Sequence, residues 1–256
     1  MIHPTAVVDP TAKLDQDVEV GPYAIIGADV TIGRGTRIGP HALVRGPSFL
    51  GRDNRIFQFA SVGEDPQDKK YGGERTTLTI GDRNVIRESA TIHRGTVQGG
   101  GETRIGNDNL FMAYTHVAHD CIIADDVIMA NAASLGGHVV VEEWAILGGF
   151  TIVHQFCRIG AHSFSAMGSV IGKDVPPFIT IDGHPAVPRG VNNEGLKRRR
   201  FSIEEISAIR RAYRLLYMSN LKLEDATRDL EALAASQPVL ERMTEFLAAS
   251  ARSIVR

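Results

Sequence analysis

The chain contains few cysteines and no long apolar segment. Its 256 residues include only Cys121 and Cys157, too few for a disulfide scaffold in a chain of this size. The first ten residues, MIHPTAVVDP, lack the charged and apolar regions of an export signal, and no apolar run of about 18 residues occurs anywhere. We therefore expect a cytoplasmic protein without a membrane span.

The chain also has almost no net charge, so its overall charge indicates no class of binding partner. The formal net charge of -2 offers no surplus of positive charge for nucleic acid or for an acidic membrane surface. The sequence has neither a P-loop nor a dinucleotide-binding glycine fingerprint, so no nucleotide cofactor is predicted. The 43% hydrophobic content is enough for a substantial core, in one or two domains.

An aliphatic residue recurs at every sixth position through most of the first 171 residues. The first series is Ile2, Val8, Leu14, Val20, Ile26, Ile32, Ile38, Val44, Leu50, Ile56 and Val62, and a second series, shifted by one residue, runs from Ile105 to Ile171 with a lapse at Ser165. A period of six fits neither a helix of 3.6 residues per turn nor a series of hairpins. It predicts a parallel β-helix, in which each hexad forms one short strand and a turn.

This pattern resembles the hexapeptide-repeat family, whose coils contain three hexads and wind left-handed. The handedness follows from the resemblance alone, because general crossover rules favour the opposite hand. Three hexads per coil place residues 18 apart on adjacent strands, about 4.8 Å from each other. We predict a mainly β fold, with a left-handed parallel β-helix over residues 1–190 and a C-terminal α-helical domain over residues 191–256.

Two segments interrupt the repeat, and loops that project from a rigid scaffold often carry binding groups. The first covers residues 64–79 and the second covers the glycine-rich residues 97–104. Because Val62 and Ile80 are 18 residues apart, the coil is expected to keep its register across the first loop.

The repeat ends at the two prolines of VPPF, which cannot continue ladder hydrogen bonding. A capping box formed by Ser202 and Glu205 then predicts the start of a helix. Further helices are predicted over residues 224–235 and 239–251.

The stretch THVAHDC, residues 115–121, introduces histidines into the repeat. By the 18-residue rule, residues 118–120 lie below 136–138, which lie below 154–156. One corner therefore collects His119, Asp120, His138, His154 and Gln155, with His116 nearby on the same coil. Four of the nine histidines on one patch indicate a functional site.

The residue types at this corner suit acyl transfer. His119 can act as a general base near neutral pH, and the adjacent Asp120 can orient it. Gly137, one coil above His119, has no side chain to block approach, so its N–H can face a developing oxyanion.

Two other interpretations remain open at this point. Three imidazoles at a subunit boundary could ligate zinc, as in hexapeptide-repeat carbonic anhydrases, although the histidine spacing differs from theirs. The coil could also be purely structural. Cys121 and Cys157 lie two coils apart, roughly 10 Å, and are predicted to be unpaired core thiols.

Five motifs make the resemblance more specific. HVAHDC, IHRGT at 92–96, QDKKY at 67–71, GKDVPPF at 172–178 and NNEGLKRR at 192–199 resemble the bacterial UDP-N-acetylglucosamine O-acyltransferase family over essentially the whole chain. The resemblance implies a homotrimer with active sites between subunits. It implies transfer of a 3-hydroxyacyl group from acyl carrier protein to the sugar 3-hydroxyl, the first step of lipid A synthesis, without a metal or other cofactor.

The resemblance also implies residue roles. His119 would be the base, Asp120 its orienting group and the Gly137 N–H the oxyanion donor. Contacts to the sugar nucleotide and acyl group would come from Asp68, Lys70, His116, His138, His154 and Gln155. The uridine diphosphate end would meet Asn192, Glu194, Arg198 and Arg199, and part of this basic run would meet the acidic carrier protein. Two residues depart from the family pattern: Lys69 replaces an apolar residue that is usual at its position, and Arg200 stands where a glycine is common.

Met167 is the position most informative about the acyl chain. The resemblance places it at the far end of the acyl groove, where some members have glycine, so its side chain predicts a shorter donor such as 3-hydroxydecanoyl. A related N-acyltransferase family is disfavoured because it carries a separate domain before its repeat. Amide transfer to a diamino sugar nucleotide remains open.

Overall fold

The computed structural model describes residues 1–256, and its main feature is a parallel β-helix with three sheets as its faces. Sheet I contains Val7–Val8, Ile25–Ile26, Leu43–Val44, Ser61–Glu64, Thr91–His93, His116–Val117, Ser134–Leu135, Ile152–Val153 and Val170–Ile171. Sheet II contains Lys13–Leu14, Val30–Ile32, Ser48–Leu50, Thr77–Ile80, Glu102–Ile105, Ile122–Ile123, Val140–Val141 and Arg158–Ile159. Sheet III contains Glu19–Val20, Arg37–Ile38, Arg55–Ile56, Val85–Ile86, Leu110–Phe111, Ile128–Met129, Ile146–Leu147, Phe164–Ser165, Ile179–Asp182 and Val187–Val191.

The predicted stacking of residues 18 apart is confirmed around the histidine-rich stretch. Val117 pairs with Leu135, and Leu135 pairs with Val153, in parallel register. All three side chains are at most 1% exposed, because the aliphatic residue of each hexad points into the narrow core. The coil thus fixes which turn residues lie above one another.

Each coil has three corners, which we name by the sheets they join. Corner I–II contains His119, between strands His116–Val117 and Ile122–Ile123. Corner II–III contains Trp144, and corner III–I contains Met167. These three corners carry the three groups of residues predicted to bind substrate.

The loop bounds predicted from the sequence need correction. Thr77–Ile80 and Glu102–Ile105 are strands, so the two excursions cover residues 65–76 and 94–101. The predicted register across the first loop is wrong, because Ile80 pairs with Leu50 in sheet II, whereas Val62 pairs with Ile92 in sheet I. Both excursions leave sheet I and return to sheet II, so both project from corner I–II, the corner that carries His119.

The coil closes with an antiparallel hairpin of Ile179–Asp182 and Val187–Val191, which the sequence did not predict. Four helices follow: α1 Asn193–Arg198, α2 Ile203–Met218, α3 Leu223–Ala234 and α4 Glu241–Ala249. The capping box at Ser202 and Glu205 is confirmed. The predicted helices 224–235 and 239–251 each differ by one or two residues at their ends, and the second begins with a 3-10 turn at Pro238–Leu240. None of the helices is long and apolar enough to cross a membrane.

The chain end packs back on the coil. The buried Asp174 carboxylate accepts hydrogen bonds from Arg158 N (2.8 Å) and from Ser250 Oγ (2.6 Å). Arg242 of α4 forms an ion pair with Glu143 on the coil. These contacts fix the helical region against the last coils.

Both thiols are free and buried, as predicted. Burial raises the pKa of Cys121 to about 12 and that of Cys157 to about 11, so both stay protonated at neutral pH. Neither has the thiolate character that a nucleophile or metal ligand needs.

Candidate active site

A histidine and an aspartate form a hydrogen-bonded dyad at corner I–II. His119 Nδ1 lies 2.7 Å from Asp120 Oδ2, and the carboxylate has no solvent exposure, whereas the imidazole keeps 13%. An ionised carboxylate only accepts hydrogen bonds, so Nδ1 carries the proton. In the neutral imidazole this tautomer leaves Nε2 as the acceptor that can take a proton from a substrate.

The second loop holds the carboxylate from behind. Thr96 N–H donates to Asp120 Oδ1 (2.8 Å), and Thr96 Oγ1 donates to Asp120 Oδ2 (2.7 Å). Thr96 is not among the site residues predicted from the sequence, although it lies in the motif IHRGT. That motif was the only feature of the sequence that could have indicated a role for Thr96, because the 18-residue stacking rule applies to the coil and not to the loops.

Gly137 lies directly against the imidazole of His119. A Cβ added to Gly137 would lie 2.5 Å from His119 Cε1 and 2.7 Å from His119 Nε2, inside van der Waals contact. Its N–H makes no hydrogen bond within the chain, while its C=O accepts from Phe156 N (3.0 Å). The His119 imidazole and the backbone of Gly137, whose N–H has no partner within the chain, thus lie beside each other.

His138 forms the next wall of the site. Its ring meets that of His119 edge-on, with centroids 5.1 Å apart, and stacks on Phe156 at 4.3 Å. Burial lowers the pKa of His138, although Asp120, 3.7 Å from its Nε2, opposes this shift. His138 is therefore predominantly neutral at pH 7.

The other two predicted histidines do not line the cleft. His116 Nδ1 is hydrogen-bonded to Thr91 Oγ1 (2.7 Å), and burial lowers its pKa. The ring of His116 also meets His93 edge-on, and burial lowers the pKa of His93 to about 4. His154 is exposed and donates from Nδ1 to the backbone oxygen of Gln155 (3.1 Å). Register places His154 two coils above His116 but does not set the direction of either side chain.

The dyad opens into a cleft of about 780 Å³ between the two loops. Its lining consists of Gln67, Asp68, Lys69, Lys70, Thr96, Gln98, Gly99, His119, His138, Gln155 and Phe156. The predicted residues Asp68, Lys70 and Gln155 therefore do lie with the dyad. Lys70 N–H donates to Asp68 Oδ1 (2.9 Å), which shapes the loop, and neither lysine side chain is in an ion pair. The mouth of the cleft thus offers two cations to an anionic ligand.

The four residues predicted for a uridine diphosphate lie at corner II–III instead. Asn192 caps α1 by accepting from Gly195 N (3.1 Å) and donates to His162 O (2.9 Å). Glu194 is paired with Lys197, and the adjacent Arg198 lines a cavity of about 370 Å³ with Trp144. The Arg199 guanidinium lies over the Trp144 ring, 4.7 Å from its centroid. Within one chain these four residues do not line the cleft that contains His119.

Met167 lies at the third corner. It is 79% exposed in the turn between Phe164–Ser165 and Val170–Ile171, so it does not fill the core. At Ser165 the repeat has a serine in place of the aliphatic residue, and its buried hydroxyl is hydrogen-bonded to Thr151 Oγ1 (2.8 Å). Neither the His119 cleft nor the Arg199 group lies at this corner.

One group of side chains is compatible in composition with a metal. Atoms of His119, Asp120 and His138 lie within 4.8 Å of one another. However, two ligands of one tetrahedral zinc ion lie roughly 3.3 Å apart, whereas His119 Nδ1 and Asp120 Oδ2 are 2.7 Å apart. Both Asp120 oxygens are also engaged by Thr96. The geometry favours a hydrogen-bonded dyad over metal ligation.

Two family models match separate parts of the chain. Residues 11–46 match the bacterial transferase hexapeptide model of six repeats. Residues 174–255 match the model for domain 2 of UDP N-acetylglucosamine O-acyltransferase. One family model thus matches part of the repeat, and the other matches the helical region.

Full-length relatives extend this result. The chain is 56% identical over 260 aligned residues to the acyl-[acyl-carrier-protein]–UDP-N-acetylglucosamine O-acyltransferase of Janthinobacterium sp., covering 100% of this chain and 99% of the relative. It is 54% identical to the enzyme of the same name from Thiobacillus denitrificans, with the same coverage. Among solved structures, the UDP-N-acetylglucosamine acyltransferase of Francisella novicida superposes with a TM-score of 0.98 at 41% identity, covering 100% of this chain and 94% of the other. This agreement confirms the predicted left-handed β-helix with a C-terminal helical region.

Proposed function

The chain belongs to the acyl-[acyl-carrier-protein]–UDP-N-acetylglucosamine O-acyltransferase family, and from this premise we propose that it transfers a 3-hydroxyacyl group from acyl carrier protein to the 3-hydroxyl of UDP-N-acetylglucosamine. The reaction is the first step of lipid A synthesis. The observation that supports it best is the His119–Asp120 dyad, which lies against Gly137 inside a cleft lined by both loops.

The proposed chemistry uses the free ring nitrogen of the dyad. His119 Nε2 takes the proton of the sugar 3-hydroxyl as its oxygen attacks the thioester carbon, and Asp120 stabilises the imidazolium that forms. The Gly137 N–H donates to the developing oxyanion. When the tetrahedral intermediate collapses, the carbon–sulfur bond breaks and the carrier thiolate receives the proton from His119. The products are the ester and the free carrier thiol.

Positive charge at the mouth of the cleft suits the acceptor. We propose that Lys70 with Asp68 contacts the sugar nucleotide, and that Lys69 adds a second cation toward its diphosphate. His138 and Gln155 would border the sugar and the acyl group. His116 and His154, which the resemblance also implies as substrate contacts, do not line the cleft within one chain.

The location of Arg199 and its neighbours supports a homotrimer. Asn192, Glu194, Arg198 and Arg199 lie at a different corner from the dyad, so they reach a bound nucleotide only if a second copy places its corner II–III beside the cleft. Corner III–I also exposes a row of large apolar side chains that a neighbouring copy would cover: Tyr23, Phe59, Tyr114, Phe150 and Met167. We propose that active sites form between subunits, and that part of the basic run 197–200 meets the acidic carrier protein.

Acyl transfer by the purified protein tests the proposed function. We expect it to acylate UDP-N-acetylglucosamine from 3-hydroxyacyl carrier proteins in the presence of a chelator, because the dyad needs no metal. The UDP derivative with an amine at the sugar 3-position should be a poorer acceptor. Faster transfer to that amine would support the diamino sugar alternative. Activity lost to chelator and restored by zinc would support the metal alternative.

Chain-length preference tests the role of Met167. We propose that its exposed side chain blocks the end of the acyl groove and favours 3-hydroxydecanoyl over 3-hydroxymyristoyl donors. Each excluded CH₂ group costs about 0.8 kcal/mol, so Met167→Gly should shift the preference toward the longer donor by at least about tenfold. The measurement is kcat/KM for both donors. An unchanged ratio in Met167→Gly would show that this side chain does not set the length.

A further inference from the structure

We propose that Thr96 is a positioning residue of the reaction, which holds Asp120 and, through it, His119 in the reactive geometry. This inference rests on the proposed function of the dyad and adds a residue that neither the repeat nor the family motifs assign a role. Thr96 lies in the second loop, which projects over corner I–II. Its side chain is 1% exposed.

Thr96 engages both oxygens of the carboxylate. Its N–H donates to Asp120 Oδ1 at 2.8 Å, and its hydroxyl donates to Asp120 Oδ2 at 2.7 Å. The second oxygen is the one that accepts from His119 Nδ1. Two donors from one residue fix the plane of the carboxylate, so Oδ2 faces the imidazole.

The direction of the Thr96 hydroxyl is itself fixed. Gly99 N–H donates to Thr96 Oγ1 (3.2 Å), because Thr96 caps the short 3-10 turn Val97–Gly99. Because the hydroxyl oxygen of Thr96 already accepts from Gly99 N–H, its own proton points to Asp120 Oδ2. The Thr96 backbone oxygen accepts from Gly101 N (2.8 Å), which closes the loop on itself.

The same loop keeps water away from the carboxylate. A Cβ added to Gly99 would lie 2.0 Å from Asp120 Cγ, so the backbone of this turn is packed directly on the carboxyl group. The Asp120 side chain has no exposed surface. A buried carboxylate depends on its hydrogen-bond donors to remain ionised, and an unsatisfied one costs far more than a single hydrogen bond gains.

Loss of the Thr96 hydroxyl should therefore act on the base and not on substrate binding. Asp120 Oδ2 would keep only His119 as a donor, and the carboxylate could turn about its Cβ–Cγ bond. His119 would then lose both its fixed ring orientation and its single tautomer. The chemical step depends on both, whereas the nucleotide contacts at Lys70 lie on the other loop.

Three variants test this inference. Thr96→Val keeps the shape of the side chain and removes the hydroxyl, and Thr96→Ser restores it. Thr36→Val is a matched control, because Thr36 is also fully buried and its hydroxyl donates to Gly51 O (2.9 Å) and accepts from Asn54 N (3.1 Å), so neither of its partners is a carboxylate. We expect Thr96→Val to lower kcat about 10- to 100-fold with KM for the nucleotide sugar within about twofold. Thr96→Ser should recover most of the loss, and Thr36→Val should keep the parent kcat.

A second readout does not depend on the substrate. Long-range 1H–15N spectra of histidine-labelled protein report the tautomer of each imidazole, and parent and Thr96→Ser should show His119 protonated at Nδ1 alone. Thr96→Val should show a mixture of tautomers. The inference is overturned if Thr96→Val keeps the parent kcat or the single tautomer, or if its effect is a rise in KM. Absence of acyl transfer in the parent, with the tautomers as expected, would refute the proposed reaction and leave the positioning role supported.

Discussion

His119→Ala is expected to lower kcat for acyl transfer by about 10²- to 10⁴-fold, the range that a positioned general base contributes. No other group at the cleft replaces it. Asp120 is buried and engaged by Thr96, and His138 Nε2 faces the same carboxylate at 3.7 Å. KM for the nucleotide sugar should change little, because the cationic contacts of the first loop remain. Steady-state kinetics with saturating donor measure both parameters.

The control for this variant is His3→Ala. His3 is an exposed histidine of the first coil, hydrogen-bonded to Thr5, and its replacement should leave kcat at the parent value. An active His119→Ala protein would show that the proton is taken by another group. A variant whose residual activity depends on added zinc would instead indicate that the imidazole had been a metal ligand.

The histidines around His119 have lowered pKa values. Burial lowers the pKa of His116 and of His138, and it lowers the pKa of His93 to about 4. A lowered imidazole pKa means that the neutral form persists to lower pH, so these rings are predominantly neutral near pH 7. The imidazolium that forms on His119 therefore meets the negative charge of Asp120 and no adjacent positive imidazole.

Much of the candidate site could be predicted because the coil is periodic. A repeat of 18 residues per coil converts sequence distance into spatial distance, so the positions of His119, Gly137 and Gln155 above one another followed from counting alone. The same regularity identified Cys121 and Cys157 as core residues. Adjacency in sequence was enough to pair His119 with Asp120.

The remaining features lie where the period fails. The first loop rejoins the coil at sheet II, so Ile80 pairs with Leu50, and a pattern that repeats every six residues cannot distinguish one sheet from the next. Thr96 reaches Asp120 from a loop whose path is set by its own turn hydrogen bonds. His154 shares the corner with His119 but turns to the backbone of Gln155, because side-chain rotation is independent of register.

Gly137→Ala is expected to lower kcat by about 10²-fold while the fold stays intact. The added methyl would lie 2.5 Å from His119 Cε1 and 2.7 Å from Nε2, so the imidazole must move by several tenths of an ångström or more. A displacement of about 1 Å in a reacting group costs on this order. The Gly137 N–H remains in the variant. The decrease in kcat would therefore measure the effect of the added methyl group on His119 and not the removal of the oxyanion donor.

Gly27→Ala separates this effect from a general intolerance of the coil to side chains. Gly27 lies at the same corner of an early coil, where an added Cβ would meet Arg45 Cα at an ordinary 3.5 Å, and its replacement should leave kcat and the melting temperature unchanged. A crystal structure of Gly137→Ala should show the His119 ring turned away from Asp120. If the ring keeps its 2.7 Å hydrogen bond and activity is retained, then close approach of the Gly137 backbone to the base is not required for the reaction.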